Sequence, residues 1–118
     1  MTHQQAFEVR TRGRGTTQIT AEVARLVAAS GIATGVAHVF VQHTSCSVMI
    51  TENADPAYRH DTEGDDDMAA HARSILSGTS VSVPVGGGSL LLGTWQGIFL
   101  WEHRTEPQSR TIVVTVLG

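Results

Sequence analysis

Apolar and polar positions alternate along the chain with two different periods, and the places where the period changes mark its elements. Ala6 to Thr11 has the look of an opening strand, and Gly13 and Gly15 then allow a turn. Ile19, Val23, Leu26 and Val27 recur at helical spacing. This predicts an amphipathic helix over Thr20 to Ser30, with Thr20 as cap and Gly31 at a left-handed C-terminus. From Gly35 the period falls to two. Val36, His38, Phe40 and Gln42 share one face of a strand, and Ala37, Val39, Val41 and His43 share the more apolar one.

Ser47 to Thr51 is a further extended run, which leaves His43-Thr44-Ser45-Cys46 as a bend. Pro56 breaks the pattern, because it lacks an amide donor and biases Asp55 away from helix. A second helix is expected from Asp65 or Asp66 to Gly78, with Met68, Ala72, Ile75 and Leu76 as its stripe and His71 on or beside that stripe. Strands return at Ser80 to Val85, Ser89 to Leu92, Gly97 to Glu102 and Arg110 to Leu117, and Gly86-Gly87-Gly88 reads as a hairpin turn. The expected fold class is therefore α+β. It is a single domain over residues 1–118, a mainly antiparallel sheet, sandwich or barrel with two principal helices.

Composition narrows the function classes. A chain of 118 residues has room for one core. The net charge of -3, with scattered arginines and no lysine, argues against a general nucleic-acid partner. No segment has the pattern of a secretion signal or membrane span, and the lone Cys46 cannot form an internal disulfide, so a cytoplasmic protein without membrane contact is expected. Cys46 itself reads as a packing residue, since nothing nearby would lower its thiol pKa.

The candidate chemistry lies where strands end. Ile98 to Trp101 is apolar on both faces and predicts a strand buried on both sides, yet it runs into Glu102-His103-Arg104. Such a tip is either a site or a wet rim where Glu102 pairs with Arg104 and His103 caps the sheet. His43, His71 and His103 all fall on buried or half-buried faces. Each alone fits a hydrogen-bonded core residue, and together they could form a facial metal site with an open position. His60 and Glu63 could supply a general base or orient the imidazoles, or belong with the aspartates to a solvated helix start. The Glu52 to Pro56 segment, Asn53 included, could offer a carboxylate and an amide or be an Asx-type turn. Gly93-Thr94-Trp95-Gln96-Gly97 either holds a polar ring or anion near the backbone or is a tight turn with Trp95 plugging the core.

Several of these runs also resemble a known family. His43-Thr44-Ser45, Glu52-Asn53-Ala54-Asp55-Pro56, the stretch from Tyr58 to His71, Gly93-Thr94-Trp95-Gln96-Gly97 and Glu102-His103-Arg104 follow in the order seen in the YjbQ-like, or secondary thiamine-phosphate synthase, family. The resemblance implies a homotrimer of compact α+β subunits with a histidine-lined pocket. It implies a weak reaction joining hydroxymethylpyrimidine diphosphate to a thiazole phosphate with loss of pyrophosphate. The ligands it implies are His43, His71 and His103, holding zinc or another transition metal, with His60, Glu63, Asp67, Thr94 and Gln96 around them.

In that reaction Arg104 would hold a phosphate, Trp95 would stack on the pyrimidine, and Mg²⁺ would arrive with the substrate. Asn53 would join Thr94, Trp95 and Arg104 in binding the phosphorylated heterocycle, and Glu63, Asp67, His60 and Gln96 would serve the chemistry. The same residues also suit a metal-dependent hydrolase or lyase with Glu63 or Asp67 as base, or a non-catalytic metal- or small-molecule-binding oligomer. One departure stands out. The family carries a longer, helix-containing stretch before its Tyr-x-His segment, whereas here Pro56-Ala57 runs directly into Tyr58.

Overall fold

Strand β7 (Gln96–Glu102) organises the molecule, because it has neighbours on both edges and apolar side chains on both faces. In the computed structural model, which describes residues 1–52 and 78–118, β7 lies between β2 (Gly15–Gln18) and β4 (Cys46–Glu52) in a three-stranded sheet. Ile98, Phe99 and Leu100 are all buried, as a strand covered on both sides requires. Each such side chain contributes roughly 1.5–3 kcal/mol relative to exposure.

The second sheet has five strands in the order β1 (Thr2–Arg10), β8 (Ser109–Leu117), β3 (Gly35–Val41), β5 (Ser80–Gly86) and β6 (Ser89–Leu90). Every pairing in both sheets is antiparallel. Alternate residues of each strand point inward, so Ala37, Val39 and Val41 of β3 meet Ile98 and Leu100 of β7 in one apolar core. Helix α1 (Thr20–Ser30) completes that core with Val23, Leu26 and Val27 and touches both sheets.

The helix boundaries and the left-handed Gly31 agree with the sequence pattern. The cap does not. Thr20 makes no capping bond; its Oγ1 accepts the Ile98 amide at 2.9 Å and so ties the start of α1 to β7. Strand β2 is a further difference, since Gly13 and Gly15 had suggested only a turn. Its register with Leu100 and Trp101, rather than any apolar pattern of its own, makes Thr16 and Thr17 extended. One helix is found among the described residues. The second predicted helix, over 65–77, lies outside them. No helix of the described residues is long and apolar enough to cross a membrane.

Candidate functional site

Three times the chain crosses from one sheet to the other at the same end of the molecule: between β1 and β2, between β3 and β4, and between β7 and β8. All three crossings meet at one ion pair. Glu102 shares the inward face of β7 with Ile98 and Leu100 and is 1 % exposed, so its charge must be paired within the protein. Arg110, on the inward face of β8, grips it with Nε to Oε1 at 2.8 Å and a terminal nitrogen to Oε2 at 2.6 Å. Thr11, from the β1–β2 crossing, donates its hydroxyl to Oε1 at 2.9 Å, and the Arg104 amide, from the β7–β8 crossing, donates to Oε2 at 3.1 Å. Arg110 also reaches the third crossing, donating to Ser45 Oγ at 2.8 Å.

These bonds fix the electrostatics. The Arg110 guanidinium holds the Glu102 carboxyl down at about 2 against the opposing effect of burial, with help from the Arg104 amide and the Thr11 hydroxyl. Glu102 in turn pushes Arg110 further up. Of the two readings of this tip, the rim pairing of Glu102 with Arg104 does not form. Strand alternation carries the carboxylate inward, where Arg110 is its partner, and Arg104 lends only its backbone amide while its side chain stays exposed.

The hub also places two of the three candidate histidines. Thr111, next to Arg110, donates its amide to His43 Nε2 at 3.0 Å. His103, next to Glu102, donates its own amide to Ser45 O and places Nε2 2.8 Å from Ser47 Oγ. The His103 ring packs edge-on against Trp101, with centroids 4.3 Å apart. Burial, aided by Arg110 and Arg14 and opposed by Glu102, pulls the His103 pKa down, so the ring favours its neutral form.

As placed, His43 does not fit a metal ligand. A neutral imidazole has one lone pair, and that of His43 accepts the Thr111 amide. No group of three His, Cys, Asp or Glu suited to a metal occurs among the described residues. His71, the third expected ligand, lies outside them, as do Asn53, His60, Glu63 and Asp67.

The remaining predicted residues sit elsewhere. Thr94, Trp95 and Gln96 lie at the opposite end of β7 from His103, more than about 20 Å away at the rise of an extended strand. Gln96 closes its own turn, with Oε1 accepting the Gly93 amide at 2.8 Å. Trp95 is 67 % exposed and does not plug the core. Within one chain, therefore, the tip carrying His43, His103 and Arg104 and the turn carrying Thr94 to Gln96 are two separate places. Cys46 is a buried packing residue, its thiol pushed up by burial.

Nothing local in the sequence marks Thr11 or Ser45 as a partner in this hub. The one readable signal was Arg110 on the strand that continues as the apolar Ile112, Val114 and Val116, where an inward arginine needs an acid.

Comparison with known proteins gives this geometry a context. The model of the "UPF0047 protein YjbQ-like" family matches residues 5–65 and 55–118. The UPF0047 protein sll1880 of a Synechocystis strain is 43 % identical over 135 aligned positions, covering 98 % of this chain and 92 % of that protein. The UPF0047 protein YjbQ of Salmonella typhimurium is 37 % identical over 137 positions, covering 100 % and 99 %. Among solved structures, a structural-genomics target from C. acetobutylicum superposes with a TM-score of 0.80 at 31 % identity, covering 98 % of this chain and 100 % of that one. Alignments of 135 and 137 positions against 118 residues mean that both relatives carry residues this chain lacks. The two matched stretches meet at 55–65, in keeping with the short connection at Pro56 to Tyr58.

Proposed function

Because this chain belongs to the YjbQ-like UPF0047 family, we propose that it is a small-molecule transferase working at the tip of β7. The reaction is the one the resemblance implies. The ring nitrogen of a thiazole phosphate forms a bond to the methylene carbon of hydroxymethylpyrimidine diphosphate. The carbon–oxygen bond to the diphosphate breaks, and pyrophosphate leaves with the bonding pair. What such a step asks of a protein is neutralisation of the leaving group and alignment of two reactants.

The observation that carries the reading is the joint anchoring of His103 and Arg104. The Arg104 amide is held by Glu102, and the His103 amide by Ser45 O, so an imidazole and a guanidinium are presented on a braced loop. Arg104 would meet a phosphate. His103, favoured neutral and paired with Ser47, would offer a hydrogen bond to the reactant rather than a charge.

For Trp95 to stack on the same pyrimidine, the turn of one subunit would have to approach the tip of another, given the gap of more than about 20 Å between them in one chain. The homotrimer that the resemblance implies would allow that approach. Purified protein incubated with both precursors should form thiamine phosphate slowly, and Arg104→Gln should lower the rate at least about tenfold. Absence of product at high enzyme concentration would refute the transferase. A binding module without turnover is the second reading, favoured by His43, whose one acceptor nitrogen is taken by the Thr111 amide.

A further inference from the structure

The connection from β1 to β2 reads Arg10-Thr11-Arg12-Gly13-Arg14-Gly15, so three arginines alternate with small residues. In the fold they line an open cavity of about 430 Å³ together with the glycines and threonines around them. Arg10, Arg12 and Arg14 are exposed, whereas Thr11 between them is buried and points the other way, onto Glu102.

The base of the loop is held firmly. Thr11 N donates to Gln108 O at 2.8 Å, and Gln108 N donates back to Thr11 Oγ1 at 2.9 Å. Gly13 has φ +111°, and a Cβ there would come within 2.6 Å of Thr105 O, so the loop lies directly against the β7–β8 crossing that carries Arg104. A Cβ at Gly15 would meet nothing within 4 Å, which leaves that stretch of backbone open to a ligand. The register of β2 with β7 sets Gly15 opposite Glu102, and Arg14, the residue before Gly15, lies beyond that pair on the His103 side.

Among the described residues the only ion pair is Arg110 with Glu102, so these arginines have no acidic partner there. Guanidinium groups gathered on one loop, in a chain of net charge -3, make a local positive patch that favours a multivalent anion. Guanidinium forks bind phosphate oxygens two at a time, and three of them match the charge of a diphosphate better than that of a single phosphate. The cavity lies within the size range of small-ligand sites, and the acidic balance of the chain disfavours a nucleic-acid strand.

We propose that the Arg10–Arg14 loop is a binding site for the diphosphate group of a small molecule, with Arg12 and Arg14 as its principal contacts. The choice of a diphosphate over other multivalent anions rests on the transferase reading above. The loop, its charge and its anchoring do not. In a reaction that releases pyrophosphate, this site would hold the leaving group beside the braced tip.

The test uses inorganic pyrophosphate as probe, with titration calorimetry on the whole protein at moderate salt. Wild-type protein should bind it. Arg12→Gln with Arg14→Gln should weaken binding at least about tenfold, while Arg25→Gln, an exposed arginine on α1, should leave it within about twofold. Equal affinity in wild type and the double variant, no binding at millimolar pyrophosphate, or tighter binding of a short oligonucleotide would each overturn the proposal. Failure of the transferase reading looks different: pyrophosphate binding that depends on Arg12 and Arg14, with no thiamine phosphate formed.

Discussion

Replacing Arg110 by methionine removes the cation from the centre of the molecule and leaves the Glu102 carboxylate buried. Two charged contacts, at 2.8 and 2.6 Å, are lost, and among the described residues the Thr11 hydroxyl and the Arg104 amide remain as its donors. The linkage between ionisation and folding sets the scale. Glu102 titrates at about 2 in the folded protein against an ordinary 4.5. A difference of about 2.5 units corresponds to about 3 kcal/mol. Because the folded value is depressed, this stabilisation is complete above about pH 4.5 and is lost as the pH falls toward 2. An unpaired buried charge costs about 3–5 kcal/mol, so Arg110→Met should lose that much near pH 7.

The cost should shrink near pH 3, where the variant's carboxylate, with burial no longer opposed by arginine, is protonated at little expense. Urea unfolding followed by the fluorescence of Trp95 and Trp101 reports both conditions. Glu102→Leu combined with Arg110→Met should recover most of the loss, since an apolar pair of similar volume does not have to be charged. A loss below about 1 kcal/mol near pH 7, or an equal loss at both pH values, would mean that Glu102 is solvated and that the ion pair does not gather the three crossings.

Further outcomes follow from single contacts. Gly13→Ala should destabilise by about 1–3 kcal/mol in thermal melts, because it adds a clash with Thr105 O to an unfavourable φ. Gly15→Ala, strained in φ but with open space, should cost less, and equal losses would contradict the packing of the two crossings. His103→Gln should erase part of the acid sensitivity. The depressed histidine pKa adds stability that is complete above its ordinary 6.5 and declines as the pH falls below it, so the gap between wild type and variant should narrow from pH 7 to pH 5. Thr20→Val should cost about 1–2 kcal/mol and speed hydrogen exchange of the Ile98 amide; unchanged exchange would show that Thr20 is not its acceptor.

What could be read from the chain was what local periodicity controls. Val23, Leu26 and Val27 spell out α1 to its ends, and Ile98 to Trp101 betray a strand covered on both faces, because in each case neighbours in sequence share one environment. Partners across distance were hidden. Glu102 and Arg104 are two apart and of opposite sign, which suggests a pair, but Arg110 follows eight residues on, and Thr11 lies 91 residues away. Arg12 and Arg14 looked scattered until the β1–β2 crossing brought them beside the tip. The turn at Gly93 to Gln96 and the tip at His103 are close in sequence, and only the extended path of β7 shows how far apart they stand.

The placement of Glu102 also bears on how the protein reaches its native state. Ile98-Phe99-Leu100-Trp101 is the kind of short, uncharged, β-prone run that self-associates when exposed. The antiparallel partners that cover it come from distant parts of the chain, so it waits unpaired during a slow, long-range assembly. Through that interval Glu102, His103 and Arg104 are hydrated and flank the run as gatekeepers, and only at closure is the carboxylate withdrawn from water onto Arg110. A chain carrying both Glu102→Leu and Arg110→Met would regain most of the native equilibrium stability and still refold in poor yield, because aggregation is decided before the hub exists.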